Sequence, residues 1–167
     1  QDYQQFKLFV ADSSSTDNTL NILKNYNFDL KIVSEIDNSA EEGINKCLEK
    51  IDTDFFCLLN SDDVLGEKFY LSELINTLKD GADVAIPNFG NIANNKFNIK
   101  TQKNNIDNLL YHNIAPDIGW MAKRSVLKEG NYTTKYKLAT SYHFLLRLFK
   151  KNYIIKRNLK AHYFFRL

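Results

Sequence analysis

Residues 55–63 read FFCLLNSDD: an apolar run, Phe55 to Leu59, that breaks directly into Asn60, Ser61, Asp62 and Asp63. A short uninterrupted apolar run has the length of a strand and the composition of one covered on both faces, which predicts a central parallel strand. The polar tetrad then places two carboxylates at the carboxyl end of that strand, where an open α/β sheet binds its ligand. Divalent cations such as Mg2+ and Mn2+ take hard oxygen ligands and commonly share one or two carboxylates with the phosphates of a nucleotide. Asp is equally favoured in turns and as a cap into a following helix, so Asp62 and Asp63 taken alone support either reading.

The segments on either side alternate. Upstream, Ile44, Cys47, Leu48 and Ile51 fall at helical spacing within residues 40–51, and Lys31 to Ser34 (KIVS) reads as a strand. Before that, Phe6 to Ala11 (FKLFVA) forms a strand that closes at Asp12. The polar stretch SSSTDNT then leads to a helix capped by Ser15 or Thr16, with Leu20 and Leu23 as its apolar stripe. Downstream, Leu71, Leu74, Ile75 and Leu78 repeat the helical period, Asp80 and Gly81 stop it, and Asp83 to Pro87 supplies another strand. The order β, α, β, α, β, α, β predicts a mostly parallel sheet with helices on its faces. Residues 88–110 are rich in Asn and Lys without clear period and read as an excursion over the surface. Trp120, Met121 and Val126 resume the apolar pattern, Tyr142, Leu145, Leu146 and Phe149 mark a late helix, and Tyr153 to Ile155 a final strand. Asp12 is therefore a second acidic strand end, and two such ends can flank one cleft.

Composition narrows the class. At 167 residues the chain fits one domain, and 44% hydrophobic with 25% charged residues excludes disordered and fibrous chains. No window approaches the roughly 18 apolar residues of a spanning helix, and the start QDYQQFKLFV lacks the flank and apolar core of a signal, so neither export nor insertion is expected. Cys47 and Cys57 have no CxxC spacing and no neighbouring His; they read as core thiols in a reducing compartment, the cytoplasm. Net charge is +2, but acidic residues dominate 29–83 and basic ones crowd 123–166. That basic region suits phosphate or peripheral contact with the inner face of an anionic membrane, and equally an ordinary solvated surface. Aromatics are not interleaved with Lys and Arg in a recognised module, so nucleic acid is not an expected partner.

The motifs then gain specificity in combination. DSSSTDNT, Asp12 to Thr19, resembles the DxGSTDxT segment of family 2 glycosyltransferases. Ser34-Glu35-Ile36-Asp37 with Asn45-Lys46 is similar to that family's SExDxG…DAxNKG segment, and LLNSDD, Leu58 to Asp63, to the LNSDD form of its DxD motif. The three fall in register and order across residues 6 to 150. The resemblance implies a single GT-A domain over residues 1–167, an α/β Rossmann-like fold with a mostly parallel sheet and helices on both faces. It implies transfer of a sugar, with inversion, from a nucleotide-diphosphate donor to an acceptor hydroxyl on a glycan or lipid-linked molecule, in bacterial surface polysaccharide or lipopolysaccharide synthesis. By that resemblance Asp12 contacts the nucleotide base, Asp62 the ribose or donor sugar, and Asp63 a divalent metal, Mn2+ or Mg2+, bridging the diphosphate. Asp37 lines the same pocket. The chemistry agrees: a cation on the departing nucleoside diphosphate lets the acceptor attack the anomeric carbon.

The sequence departs from the family in two places. Direct displacement requires a base for the acceptor's proton, which the family supplies as an Asp in a pattern like YKxAxDYxxxLR. Here Tyr136 to Arg147 reads YKLATSYHFLLR, with Ser141 where the Asp belongs. A serine hydroxyl is no base near neutral pH without its own activator, so His143 and Asp117 are the substitutes to consider. His143 reads equally as a surface or partly buried histidine, and Asp117, in the loop IAPDIGW, as a turn residue. Arg147 reads as a structural ion-pair partner. The family also opens with a strand and loop of the type VSIIxPxYN, and nothing before Phe6 matches it. An unfilled place beside the strand ending at Asp12 would leave backbone groups unpaired, at roughly 1–3 kcal/mol for each buried one. The expectation is a sheet completed between subunits of a homo-oligomer, or one rearranged at this edge. Two other functions fit the same residues: a degenerate GT-A domain that binds nucleotide or a protein partner without turnover, and an unrelated doubly wound module holding a metal.

Overall fold

The computed structural model of the chain describes residues 1–94, 96–100, 105–116, 118–136 and 139–167. Strand β1 (Leu8–Asp12) is followed by helix α1 (Thr19–Lys24), β2 (Leu30–Ser34), α2 (Ala40–Leu48), β3 (Phe55–Cys57), β4 (Val64–Leu65) and α3 (Tyr70–Lys79). Then come β5 (Val84–Ala93), β6 (Lys96–Lys100), a 3₁₀ turn Ile106–Leu110, β7 (Met121–Lys123), a second 3₁₀ turn Arg124–Glu129, α4 (Thr140–Lys150) and β8 (Ile155–Arg166). Among the described residues no helix is long and apolar enough to cross a membrane.

The helices start where local chemistry favours them. At α2 the Ser39 hydroxyl accepts the Glu42 N–H, and the Glu42 carboxylate reaches back to the Asn38 N–H. Two otherwise unpaired donors are satisfied, and Glu41 and Glu42 in the first turn with Lys46 in the last complement the helix dipole. Helix α1 is weaker. Its N-cap is Asn18 rather than Ser15 or Thr16, no side chain caps it, and it buries no residue.

The α/β class expected from the sequence is the one adopted, with strand pairing more mixed than the expected mostly parallel sheet. β1 and β2 form a small parallel sheet of their own. The larger sheet has the order β3-β7-β5-β8-β4, with β6 added to β5, and among the described residues only β5 and β8 run parallel within it. β7 returns against both β3 and β5, so the FFC run finds an antiparallel partner and ends its sheet instead of occupying the centre. The apolar run encoded burial on two faces, and that much is met: Phe56 packs into one core while Phe55 and Cys57 pack against the other. It carried no information on direction.

Alternation along the strands feeds those two cores. Val84 and Ile86 of β5 and Ala122 of β7 join Leu48, Trp120, Phe144, Leu145 and Leu148 beneath α2 and α4. Ala85 and Met121 face the other way, with Tyr70, Leu74, Ile75 and Leu78 of α3. Helices therefore cover both faces. Residues 88–110 hold more order than the sequence suggested: β5 continues to Ala93, turns at Asn94 (φ 51°) and pairs with β6. The Asn and Lys side chains of this hairpin masked its alternation. The final strand is also longer than expected, twelve residues from Ile155 to Arg166.

Between the two sheets, β1 and β3 each have one edge without a strand partner among the described residues. This is the edge at which the sequence implied rearrangement or completion by a partner. Two contacts span it. Lys7 pairs with Asp52 at 2.7 Å, and α2 lies across both strands, with Gly43 against Ala11 and Leu48 in one cluster with Phe56. A Cβ on Gly43 would stand 2.9 Å from Asp37 Oδ2 and 3.2 Å from Ala11 Cβ, so the helix needs glycine there to approach β1.

Candidate donor-binding site

The carboxyl ends of β1 and β2 assemble the first group. Asp12 is buried, accepting the Ser34 hydroxyl at 2.6 Å and the Ser15 N–H at 3.1 Å. Donors from Ser15 and Ser34 hold its carboxyl below the usual carboxylate range, so it is charged at neutral pH. Ser13 Oγ accepts the Asp37 N–H at 3.1 Å, tying the end of β1 to the segment that carries Asp37. Lys46 of α2 then reaches Asp37 Oδ1 at 2.6 Å and Glu35 at 3.5 Å, and these partners raise the lysine's pKa. Asp12 and Asp37 thus belong to one hydrogen-bonded cluster.

The second group forms where β3 opens into β4. Asp63 is clasped by its surroundings: Oδ2 accepts the Tyr163 hydroxyl at 2.7 Å and the Asn60 side-chain amide at 3.1 Å, while Oδ1 accepts the Arg166 N–H at 3.2 Å. Tyr163 is fully buried, and burial, then its bond to Asp63, push its phenol well above the ordinary range, so it stays a donor. Asp62 differs. Its carboxylate is exposed and no donor among the described residues reaches it, although its carbonyl accepts Arg166 Nε at 3.1 Å. Adjacent carboxylates are thus divided into one fixed by protein donors and one left to solvent.

The same residues can be tested against a divalent cation. No group of three or more His, Cys, Asp or Glu among the described residues could hold a metal with protein ligands alone. A carboxylate offers about four acceptor sites; three on Asp63 are taken, leaving one on Oδ1, and both oxygens of Asp62 remain available. That supply fits a Mg2+- or Mn2+-type ion that completes its shell with phosphate and water, the usual arrangement for nucleotide-bound metals.

Of the proposed base positions, Ser141 and His143 stand on α4. Ser141, near the start of α4, points into the aromatic core, with its Oγ 3.4 Å from the Tyr132 hydroxyl and only 4% of the residue exposed. His143 packs on the Tyr136 ring, and burial, then the charges of Arg147 and Lys135, lower its pKa, so the imidazole is neutral at pH 7. Its Nδ1 is buried without a hydrogen-bond partner. Asp117 lies outside the described residues. The start of α4 is nonetheless held to α2: Thr140 donates to Glu41 at 3.1 Å, and the Asn45 side chain makes two bonds with the Tyr132 backbone, at 2.9 and 3.0 Å. Arg147, expected as an ion-pair partner, instead donates to the carbonyls of Gly130 and Asn131 and lies over the Phe144 ring.

Two site residues escaped the sequence reading, Tyr163 and Arg166. Both stand on the part of β8 beyond Ile155, where the apolar run YFF, bounded by His162 and Arg166, has strand length and was the available signal. Cys57, by contrast, behaves as expected: burial pushes its thiol up to about 12, and it donates weakly to Gly119 O.

The sequence model of glycosyl transferase family 2 matches residues 1–157. The chain belongs to that family. Among curated proteins none matches it in sequence. Solved structures agree on the fold. S. aureus TarS (residues 1–349) in complex with UDP-GlcNAc matches with a TM-score of 0.79 at 17% identity, over 98% of this chain and 50% of that one. The TarS complex with UDP gives 0.78 at 18%, over 98% and 52%. The mannosyltransferase PcManGT from Pyrobaculum calidifontis, in complex with GDP-Man and Mn2+, gives 0.69 at 14%, over 95% and 47%. The chain spans about half the length of these proteins. As a family 2 chain with this fold, it has its acidic strand ends where α/β sheets bind their ligands.

Proposed function

We propose that this family 2 glycosyltransferase chain binds a nucleotide-diphosphate sugar at the carboxyl ends of β1 and β3 and transfers the sugar, with inversion, to an acceptor hydroxyl. The observation that carries the reading is the pair at the end of β3, with Asp63 locked by Tyr163 and Asn60 and Asp62 left free for a ligand. The nucleotide complexes of TarS and PcManGT support the donor class.

In this reading Asp12, charged and oriented by Ser15 and Ser34, accepts hydrogen bonds from the nucleoside. Asp37, neutralised by Lys46, lines the same side without adding uncompensated negative charge near the diphosphate. Asp63 and Asp62 would hold a Mg2+ or Mn2+ ion, which when bound offsets charge on the leaving diphosphate. For the acceptor's proton, His143, neutral at pH 7, is the candidate base among the described residues. A growing surface glycan as acceptor, and work at the inner face of a membrane, rest on the family resemblance.

The test is calorimetric titration of UDP, GDP and their sugar conjugates, with and without Mn2+, against wild type and Asp62→Asn. Metal-dependent binding that weakens in the variant supports the reading; no binding by the folded wild type overturns it. The buried Ser141 favours a second reading, a domain that binds donor without turnover. Release of free UDP or GDP in the presence of acceptor glycans separates the two.

A further inference from the structure

We infer that Arg166 is a donor-binding residue whose guanidinium takes the diphosphate of the nucleotide, an inference that rests on the reading of the site given above. Arg166 ends β8, in register with Ile92 of β5, and the next residue is anchored by the Leu167 N–H on Ile92 O at 3.1 Å. Antiparallel pairing of β4 with β8, Val64 opposite Phe164, carries Arg166 alongside Asp62. The residue is then fixed at two points on the acidic loop: its N–H donates to Asp63 Oδ1 at 3.2 Å and its Nε to Asp62 O at 3.1 Å.

These bonds use the backbone and one of the three guanidinium nitrogens. The two terminal nitrogens have no hydrogen bond or ion pair among the described residues, and the side chain is exposed. An arginine held against two carboxylate residues without pairing either carboxylate is unusual, because a planar guanidinium matches a carboxylate in bidentate fashion. Here Nε is committed to a carbonyl, so the charged edge of the group is presented beside the loop. Phosphate oxygens offer the same bidentate geometry as a carboxylate, and a diphosphate brings negative charge that Asp62 and Asp63 would otherwise repel. Arg166 thus supplies positive charge beside the acidic pair. It acts where charge accumulates as the sugar's bond to the diphosphate breaks.

The experiment compares uridine with UDP, and guanosine with GDP, by calorimetric titration at constant Mn2+ on wild type, Arg166→Gln and Arg166→Lys. The Gln side chain keeps a donor for Asp62 O while removing the charge. Arg166→Gln is expected to weaken binding of the preferred nucleoside diphosphate by about 10- to 100-fold, the size of lost hydrogen bonds to a charged group, and to leave the nucleoside within twofold. Arg166→Lys recovers part of the loss. A diphosphate affinity in Arg166→Gln within twofold of wild type overturns the inference while leaving the site intact. Equal losses for nucleoside and diphosphate also overturn it, because they mark a loop that has moved. No diphosphate binding by the wild type overturns the functional reading itself, and this inference with it.

Discussion

Replacing Tyr163 with Phe tests whether the acidic loop is built into the fold or merely rests on it. Tyr163 is fully buried among Tyr70, Leu74, Met121 and Ala161, so Phe fills the same space and removes only the hydroxyl. That hydroxyl donates to Asp63 Oδ2 at 2.7 Å and accepts the Asn60 N–H at 3.4 Å. A hydrogen bond to a charged partner contributes about 1.5–3 kcal/mol, and Asp63 retains Asn60 and Arg166 as donors, so the expected loss is near the lower end, about 1.5–2 kcal/mol. For a chain of this size each kcal/mol corresponds to roughly 2–4 °C, which predicts a melting temperature lower by about 3–8 °C. Urea denaturation gives the free energy directly, and Mn2+-dependent UDP or GDP titration reports the loop: the carboxylate gains an open acceptor site but loses its orientation, so nucleotide binding should weaken together with stability. Loss of less than about 0.5 kcal/mol with unchanged nucleotide affinity would refute the reasoning, since the hydroxyl would then contribute no more than a solvated surface bond.

Other perturbations reach the same architecture. Gly119 has φ 98°, and a Cβ there would lie 2.3 Å from Tyr163 Cδ2, so Gly119→Ala should destabilise by about 3 kcal/mol or more from overpacking and backbone strain, read by urea denaturation. His143 has a folded pKa below its ordinary 6.5 because partial burial, then the charges of Arg147 and Lys135, disfavour its protonated form. The folded state therefore binds fewer protons than the unfolded one, and its contribution is complete above 6.5 and lost as pH falls from there toward the folded value. Wild type should show a decline in melting temperature over that window that His143→Gln lacks. Asp12, whose pKa is depressed from 3.8 by Ser15 and Ser34, adds stability present above 3.8 and lost as pH falls through its lower folded value. Asp12→Asn should remove that part of the acid transition and leave stability between pH 6 and 8 without any new pH dependence.

How much of this was legible in the sequence depends on which residues speak for themselves. Helices α2, α3 and α4 announced their buried faces through 3.6-residue spacing, and the acidic strand ends at Asp12 and Asp62-Asp63 were visible because two short motifs stood in order. Strand direction was not encoded locally: FFC carries the same apolar signal whether its neighbour is parallel or, as with β7, antiparallel. The β5–β6 hairpin was hidden because Phe97 and Ile99 alternate with Lys96 and Asn98 on an exposed edge strand, where polar side chains are tolerated on both faces. The contacts of Asp63 were invisible for a different reason. Its partners Tyr163 and Arg166 lie 100 and 103 residues away, and only pairing of β8 with β4 brings them there.

That long-range pairing also explains why the two adjacent aspartates differ. β4 is two residues long, too short to hold its position by ladder hydrogen bonds alone. Asp63, immediately before it, supplies the missing anchorage by accepting a buried phenol and the backbone of β8, so the carboxylate is needed by the fold as well as by the site. Asp62, one residue earlier, points elsewhere because consecutive residues entering a strand face opposite ways. The two should therefore separate in experiment. Asp63→Asn is expected to lower both stability and nucleotide affinity, while Asp62→Asn should lower affinity with stability within about 0.5 kcal/mol of wild type, as for surface substitutions generally. If Asp62→Asn destabilised the chain as much as Asp63→Asn, the division of labour between them would be wrong, and the exposed carboxylate would have to be counted among the groups that hold the loop.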